Sequence, residues 1–204
     1  MEQSFLSKEK DFVFDAYHSI VLNHYMQNWG MPEHRVISVR EESGDKIIVY
    51  DFPCNAKNEV SRIATIGVSL QKGVAGNVGC EYVFVLPCDY GGASLEQVFN
   101  YILDISAHTI SEIEDPTPPR VMPPSNLAPD KWGANAMLFD ELRGENEGFH
   151  SILFGDVFKT QFIWGIPIFK SEYEMILENG IEFFDALESE SEVSIIDVNR
   201  NPWC

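Results

Sequence analysis

Two stretches of apolar sequence, RIATIGVSL at residues 62–70 and EYVFVL at residues 81–86, decide the fold of this chain. Both are rich in β-branched and aromatic residues, which favour strands. The link between them contains Gly73, Gly76 and Gly79, and such glycine-rich links are typical of hairpin loops. The pattern therefore predicts a pair of adjacent strands in one sheet.

The same sheet is predicted to extend toward the N-terminus. Residues 36–40 and 46–52 have the composition of strands, and Ser43-Gly44-Asp45 between them favours a hairpin. Residues 8–28 repeat apolar side chains at spacings of three and four, which predicts one buried helix face. The residues of this face are Phe12, Ala16, Tyr17, Ile20, Val21, His24 and Tyr25. The first 90 residues therefore predict a helix and a meander.

The middle of the chain begins with a helix signal. Ser94 and Gln97 have the spacing of a capping box, followed by apolar residues at helical period over about four turns. Six of the fifteen residues 115–129 are proline, which predicts an irregular crossing because proline interrupts helices and central strands. Strands are then predicted at 134–139, 157–159 and 161–169.

The C-terminal region is predicted to be mainly helical. Ser171 and Glu174 form a second capping-box pattern, after which Tyr173, Ile176 and Leu177 are expected to face inward. Asn179-Gly180 favours a left-handed helix end, and residues 181–187 predict another turn or two. Residues 193–196 read as a short closing strand.

Charge excludes several classes of function. The 204 residues include 32 acidic and 14 basic side chains, a net charge of −18. Hydrophobic residues make up 45%, too many for a disordered acidic tail, so the chain is expected to fold. Repulsion from phosphates argues against binding to nucleic acid or to anionic membranes.

The start of the chain lacks the apolar stretch of a secretory signal, and a cytoplasmic location is expected.

The cysteines and histidines predict no metal site. Cys54, Cys80, Cys88 and Cys204 contain no C-x-x-C pair, and reduced thiols are expected in the absence of a secretory signal. His18 and His24 lie six residues apart on the predicted helix, so they do not form the i, i+4 pair of a metal-binding helix. Neither metal nor cofactor is expected.

Catalytic motifs are incomplete in this sequence. The spacing of Gly73, Gly76 and Gly79 matches neither phosphate-binding glycine motif and precedes a strand. Gly67-Val-Ser69 begins like a nucleophile elbow but lacks its second glycine. No catalytic residue is predicted. The alternative, an enzyme that uses His108 or His150 with nearby carboxylates, requires a pocket with a histidine and an acid within hydrogen-bond reach.

Two features of the C-terminal half stand out. From Ser171 onward there are nine acids and one base, Arg200. Glu174, Glu178 and Asp185 lie off the apolar stripe of the predicted helices, so they are expected to form a negative face. The aromatic residues around Gly165 and Pro167 are expected to be core, with the indole N–H of Trp164 hydrogen-bonded.

The order of several short motifs resembles the suppressor of fused domain family. These motifs are Ala64-Thr65-Ile66-Gly67-Val68-Ser69, Glu81-Tyr-Val-Phe-Val85, the helix containing Leu103, Trp164-Gly165-Ile166-Pro167, Ser171-Glu172-Tyr173-Glu174 and Ile195-Ile196-Asp197-x-x-Arg200. The resemblance runs from about residue 35 to 200. It implies an α+β fold, a central and largely antiparallel sheet packed by helices, in a single domain covering residues 1–204.

The resemblance also implies a function. In animals the family's namesake is a cytoplasmic protein that holds a transcription factor, and stand-alone bacterial members resemble immunity proteins. It implies no catalytic activity, and it marks as scaffold the residues Thr65, Gly67, Ser69, Glu81, Trp164, Pro167 and Glu172. Thr65, Gly67 and Ser69 are expected to alternate along one close-packed strand.

The expected function is therefore a protein-binding module, in the most specific form an immunity protein that neutralises a co-encoded basic toxin. Its partner would meet the negative face formed by Glu174, Glu178 and Asp185. The enzyme and a binding domain without a toxin partner remain the two alternatives.

Overall fold

The computed structural model describes residues 2–40, 44–56, 58–71, 78–112, 118–156 and 158–204, with backbone alone at 2–8 and 110–112. Within these ranges four α-helices and eight strands form. The helices are α1 (Glu2–Trp29), α2 (Leu95–Glu112), α3 (Lys170–Asn179) and α4 (Ile181–Glu190). The strands are β1 (His34–Val39), β2 (Lys46–Phe52), β3 (Ser61–Ile66), β4 (Val78–Leu86), β5 (Arg120–Met122), β6 (Ala136–Glu141), β7 (Ser151–Phe154) and β8 (Phe158–Ile168).

All eight strands belong to one sheet in the order β1-β2-β3-β4-β8-β6-β5, with β7 also paired to β8. The pair β4–β8 is parallel and the other pairs are antiparallel. The predicted α+β fold with a central, largely antiparallel sheet is confirmed. The strands predicted near residues 47–52, 63–70 and 81–86 are neighbours, although the second ends at Ile66.

The sheet has a hydrophobic core on each face. On one face, α1, α3 and α4 pack on side chains such as Ile48, Tyr50 and Trp164. On the other, α2 packs on alternating residues such as Ile47, Val49 and Tyr82. This alternation follows from the two-residue period of strands. None of the described helices is long and apolar enough to cross a membrane.

Several predicted boundaries are wrong. The strand at 62–70 ends at Ile66, and Val68–Leu70 form a short 3₁₀ helix. The two strands predicted at 157–159 and 161–169 are one strand, β8, and β7 was not predicted. Residues 193–196 form no strand, because the chain turns there. The predicted crossing at 115–129 contains the three-residue strand β5 at the sheet edge. Gly73, Gly76 and Ser43 lie outside the described residues.

The cysteine prediction is wrong for one pair. Cys54 and Cys88 form a disulfide with their Cα atoms 5.4 Å apart. Each follows its strand by two residues, and β2 and β4 run in the same direction on either side of β3, so the strand ends meet. Cys80 and Cys204 are unpaired. Burial raises the pKa of the Cys80 thiol to about 11, so this cysteine stays protonated.

Trp164 and Pro167 are buried in β8, as predicted, with Trp164 6% exposed. The indole N–H of Trp164, however, has no hydrogen-bond partner among the described residues. The neighbouring Gly165 explains the close packing here, because a Cβ at this position would overlap the ring of Phe84. Residues Trp164–Pro167 therefore contribute to the packing on both faces of the sheet, Trp164 on the α1 face and Gly165 against Phe84 on the α2 face.

Replacing Trp164 by Ala should lower the free energy of unfolding by about 3–5 kcal/mol, since the change empties a large buried aromatic site. Urea denaturation followed by circular dichroism measures the difference. Phe12→Ala is the control, because Phe12, contrary to its predicted place on the buried face of α1, is 72% exposed. Its replacement should change stability by about 0.5 kcal/mol or less. Equal stabilities of the two variants would contradict a structural role for Trp164.

Candidate functional site

The carboxylate of Glu81 is fully buried at the centre of a hydrogen-bond network. Three donors reach its Oε1: the Tyr17 hydroxyl at 2.7 Å, the Gly67 N–H at 2.9 Å and the Ser69 N–H at 3.1 Å. Two donors reach Oε2: the Thr65 hydroxyl at 2.7 Å and the Val68 N–H at 3.3 Å. Burial raises the pKa of Glu81, and the hydrogen bonds act in the opposite direction.

The local chain path creates this network. Pairing between β3 and β4 stops after Ala64, where Tyr82 N–H donates to the hydroxyl of Thr65. Gly67 then adopts φ 111°, and a side chain there would overlap the Lys46 carbonyl. This turn directs successive backbone N–H groups at the carboxylate. The prediction that Thr65, Gly67 and Ser69 alternate along one strand is therefore wrong.

A second buried carboxylate, that of Glu172, joins α3 to the C-terminal segment. It accepts hydrogen bonds from the Phe169 N–H at 2.9 Å, Arg200 Nη2 at 3.0 Å and the Trp203 N–H at 3.1 Å. The side chains of Glu172 and Arg200 are both fully buried. The Arg200 guanidinium also lies 4.3 Å from the centre of the Trp203 ring. This ion pair holds the C-terminal segment against the start of α3.

The start of helix α3 was predicted two residues too late. Helix α3 begins at Lys170, and Glu172 caps the preceding N–H of Phe169. Ser171 and Glu174 therefore do not form a capping box, and Glu174 instead forms an ion pair with Lys170 at 3.6 Å. Helix α3 does end at Asn179, as predicted, but Gly180 at φ 87° and ψ 169° is extended and not in the predicted left-handed helical conformation.

Sequence reasoning missed one partner of Glu81 and a third buried acid. Tyr17 was assigned to the apolar face of α1, but its hydroxyl binds Glu81. Asp51 in β2 is fully buried and accepts hydrogen bonds from Tyr90 Oη at 2.9 Å and His34 Nδ1 at 3.1 Å. Burial raises the pKa of Asp51. The available signal was an acidic residue inside an otherwise apolar strand, as at Glu81.

The histidines named for an enzyme lie elsewhere. His150 lines a polar depression of about 270 Å³ with Glu141, Ser151 and Lys159. Within the part of the chain that the structure describes, its imidazole has no hydrogen bond to a carboxylate. His108 is half-buried near the end of α2. The described residues also contain no group of three metal-ligating side chains.

The three acids predicted to bind a partner lie on α3 and α4, which we call the acidic helix pair. Glu174 and Glu178 are exposed on α3. Asp185 on α4 is half-exposed and lies 3.4 Å from Arg143, which also binds Asp140 and Glu188. The negative face is thus most exposed on α3, but Lys170 partly neutralises Glu174 and Arg143 partly neutralises Asp185.

Two apolar side chains are exposed within this acidic helix pair. Leu177 is 62% exposed and Phe183 is 48% exposed, each three residues from the turn at Gly180. The prediction that Leu177 faces inward is wrong, because Met175 and Ile176 supply the buried face of α3. Exposed apolar residues among charges can anchor a protein partner. This surface presents apolar side chains for contact with a partner and negative charge for attracting one, whereas the buried acids stabilise the fold.

Comparison with known proteins identifies relatives of this architecture. The family model described as suppressor of fused protein (SUFU) matches residues 43–201. No curated protein matches the chain. A suppressor of fused homologue from Neisseria gonorrhoeae FA 1090 has a TM-score of 0.70 and 13% identity, over 93% of this chain and 97% of that chain.

Two further solved structures share the fold. Suppressor of Fused from Drosophila has a TM-score of 0.63 and 12% identity, over 90% of this chain and 50% of that one. A chain of the Sufu–Fu complex has a TM-score of 0.58 and 14% identity, over 84% of each chain. At these identities the structures demonstrate a common fold.

Replacing Glu81 by Gln should lower the free energy of unfolding by about 1–3 kcal/mol, because the new NH₂ group cannot accept the hydrogen bonds made to one carboxylate oxygen. Thermal and urea unfolding would measure this loss. Glu59→Gln, at an exposed position, makes the same chemical change and should be neutral. An equally stable Glu81→Gln protein would show that the network is dispensable.

Proposed function

This chain belongs to the suppressor of fused protein family, and we propose that it is a non-catalytic protein-binding module whose acidic helix pair captures a basic partner. The most specific form of the proposal is an immunity protein that occludes the active site of a co-encoded toxin. Support comes from a solved relative that is a complex of Sufu with Fu. We assign this role to residues 1–204 acting as one cytoplasmic domain without a cofactor.

The observation that carries the proposal is the exposure of Leu177 and Phe183 among the acids of α3 and α4. Apolar anchors supply affinity when water is excluded around them. Negative charges nearby supply long-range attraction and select against acidic partners. The combination suits a partner with a basic rim and an apolar patch.

The placement of the other acids supports a binding role over catalysis. Glu81 and Glu172 are fully buried and bound to donors within the chain. Neither carboxylate is open to a substrate in this arrangement. The exposed acids of α3, Glu174 and Glu178, are by contrast accessible to a protein partner.

Salt should slow association with a basic toxin. Raising ionic strength from 0.01 M to 0.15 M shortens the Debye length from roughly 30 Å to about 8 Å, so the on-rate should fall steeply while dissociation changes much less. Surface plasmon resonance with the immobilised product of an adjacent toxin gene, at several salt concentrations, measures both rates. Replacing Glu174, Glu178 and Asp185 together by Lys should lower the on-rate at low salt.

The control for this triple variant reverses three exposed acids elsewhere, Glu59, Glu96 and Asp130. It has the same net charge, so any greater effect of the α3–α4 variant reports the location of the surface. Because Asp185 binds Arg143, the Glu174→Lys/Glu178→Lys double variant is measured as well. A salt-independent on-rate, or equal binding by both triple variants, would contradict the proposed surface.

Truncating the apolar anchors should act on dissociation. Leu177→Ala and Phe183→Ala are each expected to speed dissociation from the toxin by about tenfold, corresponding to the loss of about 1.4 kcal/mol. Val193→Ala removes an exposed apolar side chain outside both helices and should leave dissociation unchanged. Unaltered off-rates in both helix variants would place the contact elsewhere.

A further inference from the structure

An apolar groove, which we call the β5 groove, lies where the turn between α3 and α4 meets the edge strand β5. Its volume is about 220 Å³, and its lining residues are Pro119, Arg120, Val121, Leu138, Ile176 and Ile181. Val121 is paired with Leu138 across β5 and β6, and both pack in the core beneath α1, α3 and α4. Leu138 and Ile176 are buried, whereas Val121 and Ile181 are half-buried and therefore lie nearer the mouth of the groove.

The helix side of the β5 groove carries negative charge. Glu178 is exposed near the end of α3, and Glu182 is exposed in the first turn of α4. A carboxylate oxygen of Glu182 lies 3.0 Å from where a Cβ at Gly180 would be, so this acid stands at the turn that separates Ile176 from Ile181. Within the described ranges neither acid forms an ion pair. The groove is therefore an apolar site with an anionic rim.

The base among the described lining residues does not neutralise this rim. The guanidinium of Arg120 donates to the Tyr82 hydroxyl at 2.6 Å and lies 4.8 Å from the centre of the Phe139 ring. Tyr82 and Phe139 belong to the core beneath α2, on the opposite face of the sheet. The charge of Arg120 is therefore directed away from the acids of α3 and α4.

The size and lining of the β5 groove define what it can hold. Sites for drug-sized ligands have volumes of roughly 300–1,000 Å³, so a groove of about 220 Å³ accommodates little more than one side chain. Aliphatic walls favour an apolar side chain, because its burial removes hydrocarbon surface from water. Addition of a whole strand is disfavoured, since β5 has three residues and prolines flank it at positions 118, 119, 123 and 124.

We propose that the β5 groove receives one apolar side chain of the partner, from a segment in which lysine or arginine residues flank that side chain. This inference rests on the proposed function and adds to it the chemistry of the partner segment. The flanking cations are attracted to Glu178 and Glu182. Leu177, next to Ile176, and Phe183, two residues after Ile181, contact the partner around the inserted side chain and exclude water from it.

Methyl NMR of the whole chain with three short peptides tests this chemistry without a toxin. The peptides are acetyl-Lys-Leu-Lys-amide, acetyl-Glu-Leu-Glu-amide and acetyl-Lys-Ser-Lys-amide. At up to about 10 mM peptide, the first should give saturable shifts of the Val121, Leu138, Ile176 and Ile181 methyl groups, and the other two should bind at least about tenfold more weakly. Absence of these shifts, or an equal response to the glutamate or the serine peptide, overturns the proposal.

Variants of the groove test its role in the complex with the immobilised toxin. Val121→Phe places a ring at the mouth of the groove and should speed dissociation by about tenfold. Val39→Phe is the matched control, because Val39 is 52% exposed on β1 at the other end of the strand order, and it should dissociate like the wild type. Ile181→Ala removes one wall without adding volume. It should also speed dissociation, and it covers the case in which Val121→Phe does not fold.

The groove and the proposed function fail in different ways. A salt-dependent on-rate, together with wild-type dissociation of Val121→Phe and Ile181→Ala, would overturn the groove and leave capture by the acidic helix pair standing. Groove shifts with the Lys-Leu-Lys peptide, but no binding of the wild type to the toxin, would support the groove and overturn the immunity role.

Discussion

The burial of one carboxylate, that of Glu81, constrains the centre of this fold. An acid removed from water requires compensating donors, and the chain supplies five from three separate elements. To supply them, β3 ends early, Gly67 takes a left-handed conformation and α1 brings Tyr17 over the sheet. The network thus links the long N-terminal helix to the first meander through polar contacts inside an apolar core.

The buried carboxylate of Glu172 is compensated differently, by the buried guanidinium of Arg200. Its ion pair with Arg200 holds the C-terminal segment against the start of α3. Breaking a buried pair by removing one partner is costly because the other charge is left unpaired. The motif residues Glu81 and Glu172 thus both bind groups within the chain. The proposed interaction surface lies on a different part of it, where α3 contacts β5 and β6 at one end of the sheet.

Local patterns predicted the elements better than their ends. The strand composition of residues 46–52 and the capping box at Ser94 and Gln97 depend on neighbouring residues, and both predictions are confirmed. The stop of β3 at Ile66 depends on Glu81, which is 15 residues away, and the cap of α3 depends on Glu172 together with the distant Arg200. The pairing of Cys54 with Cys88 similarly requires the order of β2, β3 and β4 in space. Long-range partners of this kind are not visible in sequence periodicity.

The acidic residues illustrate the same limit for the candidate site. Glu81, Glu172 and Glu174 are identical in chemistry and differ only in what the fold packs around them. The resemblance marked Glu81 as scaffold, and its apolar strand, EYVFVL, is a sequence signal for the burial that the structure shows. For Glu172 and Glu174, two residues apart on one helix, only the packing of the C-terminal segment decides which is buried and which is exposed.

Native-state hydrogen exchange of the Gly67, Val68 and Ser69 amides tests the central claim about Glu81 most directly. These amides lie in a turn, outside the sheet ladder, yet each donates to a buried carboxylate. If the network holds the fold together, they should exchange about as slowly as the core amides of β4, through global unfolding. Exchange as fast as that of ordinary loop amides would contradict the account.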